Sequence, residues 1–193
     1  MNIITNSCVG GYLYKDYFKI PYENPFIWSY IDFNSFIYLM MNFKTINYKN
    51  IRIENNNHII IDDKVDVHYL HYIKDNSCSK PTFVKKDNTI RYSNIEDYTL
   101  DKYLRRLSRM NIDDNPIFIF AHSYIYLNKE QLNKLNDISL QYECLIYNDI
   151  IANLNNEKCH IYKCPIKHNN KQLTDYIYNH LRDSKILSTG ILS

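Results

Sequence analysis

The sequence predicts a three-layer α/β fold: a mixed, mostly parallel sheet flanked by helices, with an antiparallel strand addition in the middle of the chain. Three observations carry this. Apolar runs of strand length alternate with segments of helical period, the order that builds α/β layers. The run "NPIFIFA" at 115–121 is apolar on both alternating sets of side chains, as a strand covered on both faces must be. The segment "SNIEDYTLDKYLRRLSRM" repeats Leu100, Tyr103, Leu104 and Leu107 at i, i+3, i+4, i+7, the spacing of an apolar helix face. At 193 residues the chain suits a single domain spanning 1–193.

In chain order, Asn2 to Thr5 forms a short β-type run, followed by "NSCVGG" and a helix from Tyr12 to Phe18. "IPYENPF" holds Pro21 and Pro25 and must be a loop, because proline lacks the N–H and restricts the residue before it. Asp32 can cap a helix running to about Phe43, with Phe36, Ile37, Met40 and Met41 on one side. "NIRIE", "HIIID" and "VDVHYLHYI" then read as strands separated by Asn and Asp clusters. In the last of these, alternation puts Val65, Val67, Tyr69, His71 and Ile73 on one face and His68 and Leu70 on the other. Ser93 and Glu96 have capping-box spacing ahead of the amphipathic helix. After "NPIFIFA" come a helix near Lys129 to Leu135, the strands "ECLIY" and "CHIYK", and a last helix from about Lys171 to Leu181.

Composition narrows the class without naming a function. A hydrophobic share of 45% and 19 tyrosines argue against disorder. A net charge of +2 is too mild to imply nucleic acid. No stretch reaches the roughly 18 apolar residues of a membrane span. The N-terminus lacks the pattern of a secretory signal, and five scattered cysteines have no framework of spacings. Together these lead us to expect reduced thiols and a cytoplasmic location.

The chain has only 3 glycines, yet Gly10 and Gly11 stand together just after Cys8. A cysteine between a strand and a helix meets aligned N–H groups and the positive end of the helix dipole, which lowers its pKa. Glycines beside it would let a substrate carbonyl reach backbone N–H groups, as an oxyanion site requires. The plainer reading is a small buried side chain in a tight turn, with the glycines serving backbone geometry. A cysteine nucleophile needs a base. His71 lies near the end of a strand, and His122 follows the buried strand directly, at the carboxyl edge where open α/β sheets bind ligands.

Lys102, Arg105, Arg106 and Arg109 form a basic stripe on the long helix, placed opposite the apolar face by their spacing. Arginine matches phosphate and carboxylate, whereas a solvated surface is the ordinary use of such a stripe. Cys159, His160, Cys164 and His168 are all metal-ligand types, but their spacing fits no zinc pattern, and strand alternation sends Cys159 and Cys164 to opposite faces. No metal is expected.

"NSCVGGYLY", "YENPF", "HYLHY", "YLRRLSRM" and "DNPIFIF", in that order, resemble a bacterial family of unknown function with a CAC-type α/β fold. Its members are often labelled exopolysaccharide biosynthesis proteins. The matching positions are Asn6, Cys8, Gly10, Gly11, Pro25, Phe26, His71, Tyr72, Tyr103, Arg105, Arg106 and Arg109, within roughly residues 1 to 140. Ser7, Val9, Asn24 and Tyr103 depart from the residues the family often has there (Asn, Trp, Ser and Trp). "PFIW" more distantly resembles a family described as papain-like cysteine peptidases.

The resemblance implies surface-polysaccharide assembly and selects His71 over His122 as the partner of Cys8. The expectation is a transferase acting on a surface glycan or its activated precursor, with group transfer as the preferred chemistry and acyl transfer as one form of it. Cys8 would be nucleophile or substrate-facing thiol, and His71 general base. Asn6, Gly10, Gly11, Tyr72 and His122 would line the substrate site. Arg105, Arg106 and Arg109 would hold the phosphate of a nucleotide-sugar or acyl-carrier co-substrate, and no further cofactor is required. A papain-like hydrolase and a non-catalytic nucleotide- or glycan-binding protein are the alternatives.

Overall fold

The computed structural model describes residues 2–22, 24–54, 58–69, 83–84, 91–92, 95–121, 127–148, 156–164 and 170–184. Strand β1 (Ile3–Thr5) leads into a four-residue helix α1 (Val9–Tyr12), which widens into a π-helix over Leu13–Phe18. After a loop come β2 (Tyr30–Ile31) and α2 (Phe33–Asn42). The strands β3 (Ile51–Glu54), β4 (His58–Ile61) and β5 (Val65–His68) follow, then the short pair β6 (Phe83–Val84) and β7 (Arg91–Tyr92). The second half holds α3 (Ile95–Leu107), β8 (Ile117–Ala121), α4 (Lys129–Lys134), β9 (Cys144–Asn148), β10 (Cys159–Lys163) and α5 (Asn170–Asp183).

The fold is α/β, as the alternation of periods predicts. β1, β8, β9 and β10 lie side by side in that order, and every pair is parallel. The antiparallel strands do not extend this sheet. They form a separate one, in the order β2-β5-β4-β3, while β6 and β7 pair with each other.

Alternation along the parallel strands sorts the core into two layers. Ile3, Ile117, Ile119, Ala121, Leu145 and Tyr147 face α1, the π-helix and α5, which supply Val9, Leu13, Leu173, Ile177 and Leu181. Ile4, Phe118, Phe120, Cys144 and Ile146 face the opposite way. They pack on Phe36, Leu39 and Met40 of α2 and Phe43 just after it, Tyr103 of α3, Leu132 of α4, and the inner side chains of the antiparallel sheet. Cys159 joins this second layer and Cys164 the first, so the two thiols sit on opposite faces as their spacing predicts.

Local signals place several of these elements. The Asp32 side chain accepts hydrogen bonds from the Asn34 and Ser35 N–H groups and starts α2 where expected. The buried side of α2 is Ser35, Phe36, Leu39 and Met40, whereas Met41 is 44% exposed. Asn128 and Gln131 form a capping box ahead of α4. The capping box expected at Ser93 falls outside the described residues, although α3 begins at Ile95. Among the described residues no helix is long and apolar enough to cross a membrane.

The outer face of the antiparallel sheet carries a paired histidine. His58 and His68 are cross-strand partners whose rings stack at 4.0 Å, and His58 Nδ1 lies 3.0 Å from Asp66 Oδ1. Burial, and then the neighbouring His58, lower the His68 pKa, with Asp66 opposing. A folded pKa below the unfolded value of 6.5 contributes stability that is present above pH 6.5 and lost as pH falls through the folded value. The midpoint of thermal unfolding should therefore drop between pH 7 and pH 5. His68→Gln should flatten part of that drop; an unchanged slope would show that His68 titrates as in the unfolded chain.

Candidate functional site

At the carboxyl ends of β1 and β8 the strand ladder ends and side chains continue it. The Asn6 N–H donates to the Ile119 carbonyl at 3.3 Å, and Asn6 Oδ1 accepts from the Ala121 N–H at 2.7 Å. Ser7 Oγ donates to the Ala121 carbonyl at 2.5 Å. The Asn6 carbonyl accepts from the Ile31 N–H at 3.0 Å, tying the two sheets together. Asn6 is completely buried, yet among the described residues its Nδ2 has no hydrogen-bond partner. Leaving a buried donor unsatisfied costs about 1–3 kcal/mol, so such a group calls for a reason. Its place is the edge at which parallel α/β sheets receive ligands.

Cys8 follows directly as the residue that opens α1, with φ −60° and ψ −10°. Its side chain caps no helix N–H, and it is 3% exposed. Burial pushes the thiol up to about 11, opposed in part by a backbone hydrogen bond. This reverses the expected lowering. Only four residues of α-helix follow before the backbone widens to the π form, so the aligned N–H groups and the dipole are too small to outweigh desolvation.

The glycine pair is explained by the protein's own side chains. A Cβ on Gly10 would sit 2.5 Å from Thr5 Oγ1. That hydroxyl accepts from the Gly10 N–H at 3.1 Å and donates to the Ser7 carbonyl at 2.7 Å. A Cβ on Gly11 would fall 2.1 Å from Trp28 Cδ2. Both glycines are helical with ordinary φ. They permit close approach rather than a turn, and what approaches is Thr5 and the Trp28 indole. The Gly10 N–H, expected to serve an oxyanion, is already engaged.

Trp28 sits in the loop 24–29 in the left-handed region, at φ 62°. A bulky residue there is strained by about 1–3 kcal/mol, and the loop is fastened at nearly every residue. Asn24 Nδ2 donates to the Ile3 carbonyl at 3.1 Å, and its Oδ1 accepts from the Phe26 N–H at 3.1 Å. The Tyr69 hydroxyl donates to the Pro25 carbonyl, Ser29 Oγ to that of Phe26, and Arg106 Nη1 to that of Ile27. The half-buried indole meets Tyr12 edge to face, with ring centroids 4.8 Å apart.

That last hydrogen bond corrects the reading of the arginine helix. Arg106 is 2% exposed, and its guanidinium lies 5.1 Å from the centre of the Tyr22 ring. The buried line of α3 and the turn after it runs through Thr99, Tyr103, Arg106 and Met110, while Leu104 is 43% exposed. The helix is thus rotated by about one residue from its apolar pattern, and Arg106 points inward. Arg105 is paired with Asp101 at 2.6 Å, and Arg109 is exposed with Nε donating to the Arg105 carbonyl at 3.2 Å. Burial, then Arg106 and Arg105, push Lys102 down to about 7.

The structure therefore brings Asn6, Cys8, Gly10 and Gly11 to one sheet edge and runs Arg106 beneath the adjoining loop, with Arg105 and Arg109 away from the core. His71, Tyr72 and His122 lie outside the described residues, as does His168. Among the described residues no three His, Cys, Asp or Glu side chains gather as a metal site. Sequence reasoning missed Trp28, although it is the only tryptophan in the chain and lies 17 positions after the glycine that receives it. Compared with family models, curated proteins and solved structures, the chain matches none.

Proposed function

We propose that this protein is a transferase acting on a surface polysaccharide or its activated precursor, with the carboxyl ends of β1 and β8 as the floor of its site. The observation that supports this is the buried Nδ2 of Asn6, which has no hydrogen-bond partner among the described residues, two residues along the chain from Cys8. An amide N–H held without a partner is a preorganised donor for an oxygen that gains charge during reaction.

In the acyl-transfer form, Cys8 Sγ attacks the donor carbonyl carbon and its proton passes to a general base, the role read for His71. The carrier leaves with its electron pair and a proton. A glycan hydroxyl then attacks the thioester, returning the thiol. Because burial holds the thiol near 11, it is protonated at rest and must be deprotonated within the complex. That argues against the resting thiolate pair of a papain-like hydrolase.

Two measurements test this. With an acyl thioester as donor, intact mass should show an adduct on wild type that is absent from Cys8→Ala, which should lose turnover and keep its stability nearly intact. A fully active Cys8→Ala protein would sink the mechanism. Without donor, alkylation of Cys8 at pH 8 should run roughly two-hundredfold slower than a free thiol of pKa 8.5, in proportion to its thiolate fraction. A rate equal to that of a free thiol would show Cys8 to be solvated. The burial of Cys8 also favours a second reading, a non-catalytic nucleotide- or glycan-binding protein in which the thiol is packing.

A further inference from the structure

We propose that Cys144 and Cys159 are a redox modification site: a small peroxide closes them into a reversible disulfide between β9 and β10. The site is independent of the transfer reaction. These two residues open their strands at the amino edge of the parallel sheet, whereas Cys8 follows β1 at the carboxyl edge.

The topology brings the two sulfurs together. β9 and β10 run parallel, and Cys159 stands directly opposite Cys144 in their register. Both side chains enter the same core layer, and a hydrogen bond joins the two thiols. Three contacts around them fix that register. The Cys144 N–H donates to the Lys158 carbonyl at 2.8 Å, Lys158 Nζ donates to the Gln141 carbonyl at 2.8 Å, and His160 Nε2 lies 3.2 Å from Glu143 Oε2. Cysteines serving only as small apolar filler need no such alignment. Cys164, by contrast, lies in the other layer.

Strand spacing sets the character of the bond. Neighbouring strands lie about 4.8 Å apart, within the roughly 4.4–6.8 Å that a disulfide spans between Cα atoms. Side chains standing parallel keep that spacing at Cβ, a little wider than the roughly 3.5–4.5 Å of a relaxed bridge. The bond therefore closes with strain and is easily reduced, as regulatory disulfides are.

The two thiols are unequal. Cys159 is 5% exposed and begins the outermost strand of the sheet among the described residues, where local opening is easiest; Cys144 is 1% exposed on an inner strand. The hydrogen bond to Cys159, and then burial, hold the Cys144 thiol protonated. Cys159 therefore reacts first. Having lost its proton to water, its sulfur attacks one peroxide oxygen, the O–O bond breaks and hydroxide leaves, giving a sulfenic acid. The Cys144 sulfur then attacks the Cys159 sulfur, the S–O bond breaks, and hydroxide departs with the Cys144 proton as water. Two thiols lose two electrons and two protons, and one peroxide becomes two waters.

The whole protein, reduced and then treated with hydrogen peroxide under native conditions, should lose two hydrogens in intact mass. Non-reducing peptide mapping should find Cys144 joined to Cys159, with the other three of the five thiols alkylated after denaturation. Millimolar reduced glutathione should restore both thiols. Cys144→Ser should stop at a Cys159 sulfenic acid captured by dimedone, and Cys159→Ser should lose that capture without transferring it to Cys144. The wild-type map alone decides the pairing, so neither serine variant has to fold for the site to be tested. A disulfide that forms only after unfolding, or one that joins other cysteines, would overturn the site. So would a bond that millimolar glutathione leaves intact.

Discussion

Gly11→Ala is expected to cost about 2–3 kcal/mol of stability, although alanine is the better helix former by about 1 kcal/mol. The reason is the Trp28 ring. The added methyl would lie 2.1 Å from Cδ2, 2.2 Å from Cε2 and 2.6 Å from Cε3, so one partner must move. The indole is not the loose end of a flexible chain. Its backbone is held at φ 62°, and the carbonyls of Pro25, Phe26 and Ile27 are each tied to a side chain. Denaturant unfolding of wild type, Gly11→Ala, Trp28→Leu and the double variant forms a cycle that isolates this contact. Gly11→Ala should cost less in the Trp28→Leu background, and its own emission should shift to the red as the ring is pushed toward water. An additive cycle would mean that the indole swings away freely and that Gly11 is no cradle.

The layers of the fold were legible because they rest on patterns the chain must obey locally. "IFIFA" has no polar face and became the doubly covered β8, and Asp32 starts α2 through its own side chain. The same logic failed wherever one segment's surroundings come from a distant one. Leu100, Tyr103, Leu104 and Leu107 make a fair apolar stripe, but the buried side runs from Tyr103 to Thr99, Arg106 and Met110 instead. Arg106 looks like a surface charge until the Ile27 carbonyl, 79 residues away in sequence, is found to need a donor. Gly10 and Gly11 announced a close approach and could not say whose; Thr5 and Trp28 answered it from within the molecule. At Cys8 the sequence supplied both opposing terms, a helix start and an apolar setting. The balance turned on a helix length of four residues, which no local pattern encodes.

Replacing Arg106 should have the other large effect, and it separates the anchoring of the loop from simple packing. Arg106→Met keeps most of the volume but strips the Ile27 carbonyl of its charged donor, a loss of about 2–4 kcal/mol. Arg106→Lys should recover little, since a point charge on a flexible stem cannot reproduce the planar guanidinium near the Tyr22 ring. A purely structural role would stop at this loss. The repulsion on α3 adds a second, electrical consequence: with Arg106 gone, the pKa of Lys102 should rise from about 7, because one of the two like charges that depress it is removed. Carbon-13 reductive methylation followed by an NMR titration reads that shift on Lys102 directly, in Arg106→Met at a temperature where the protein remains folded. A Lys102 titration that stayed in place would show that Arg106 does not depress it.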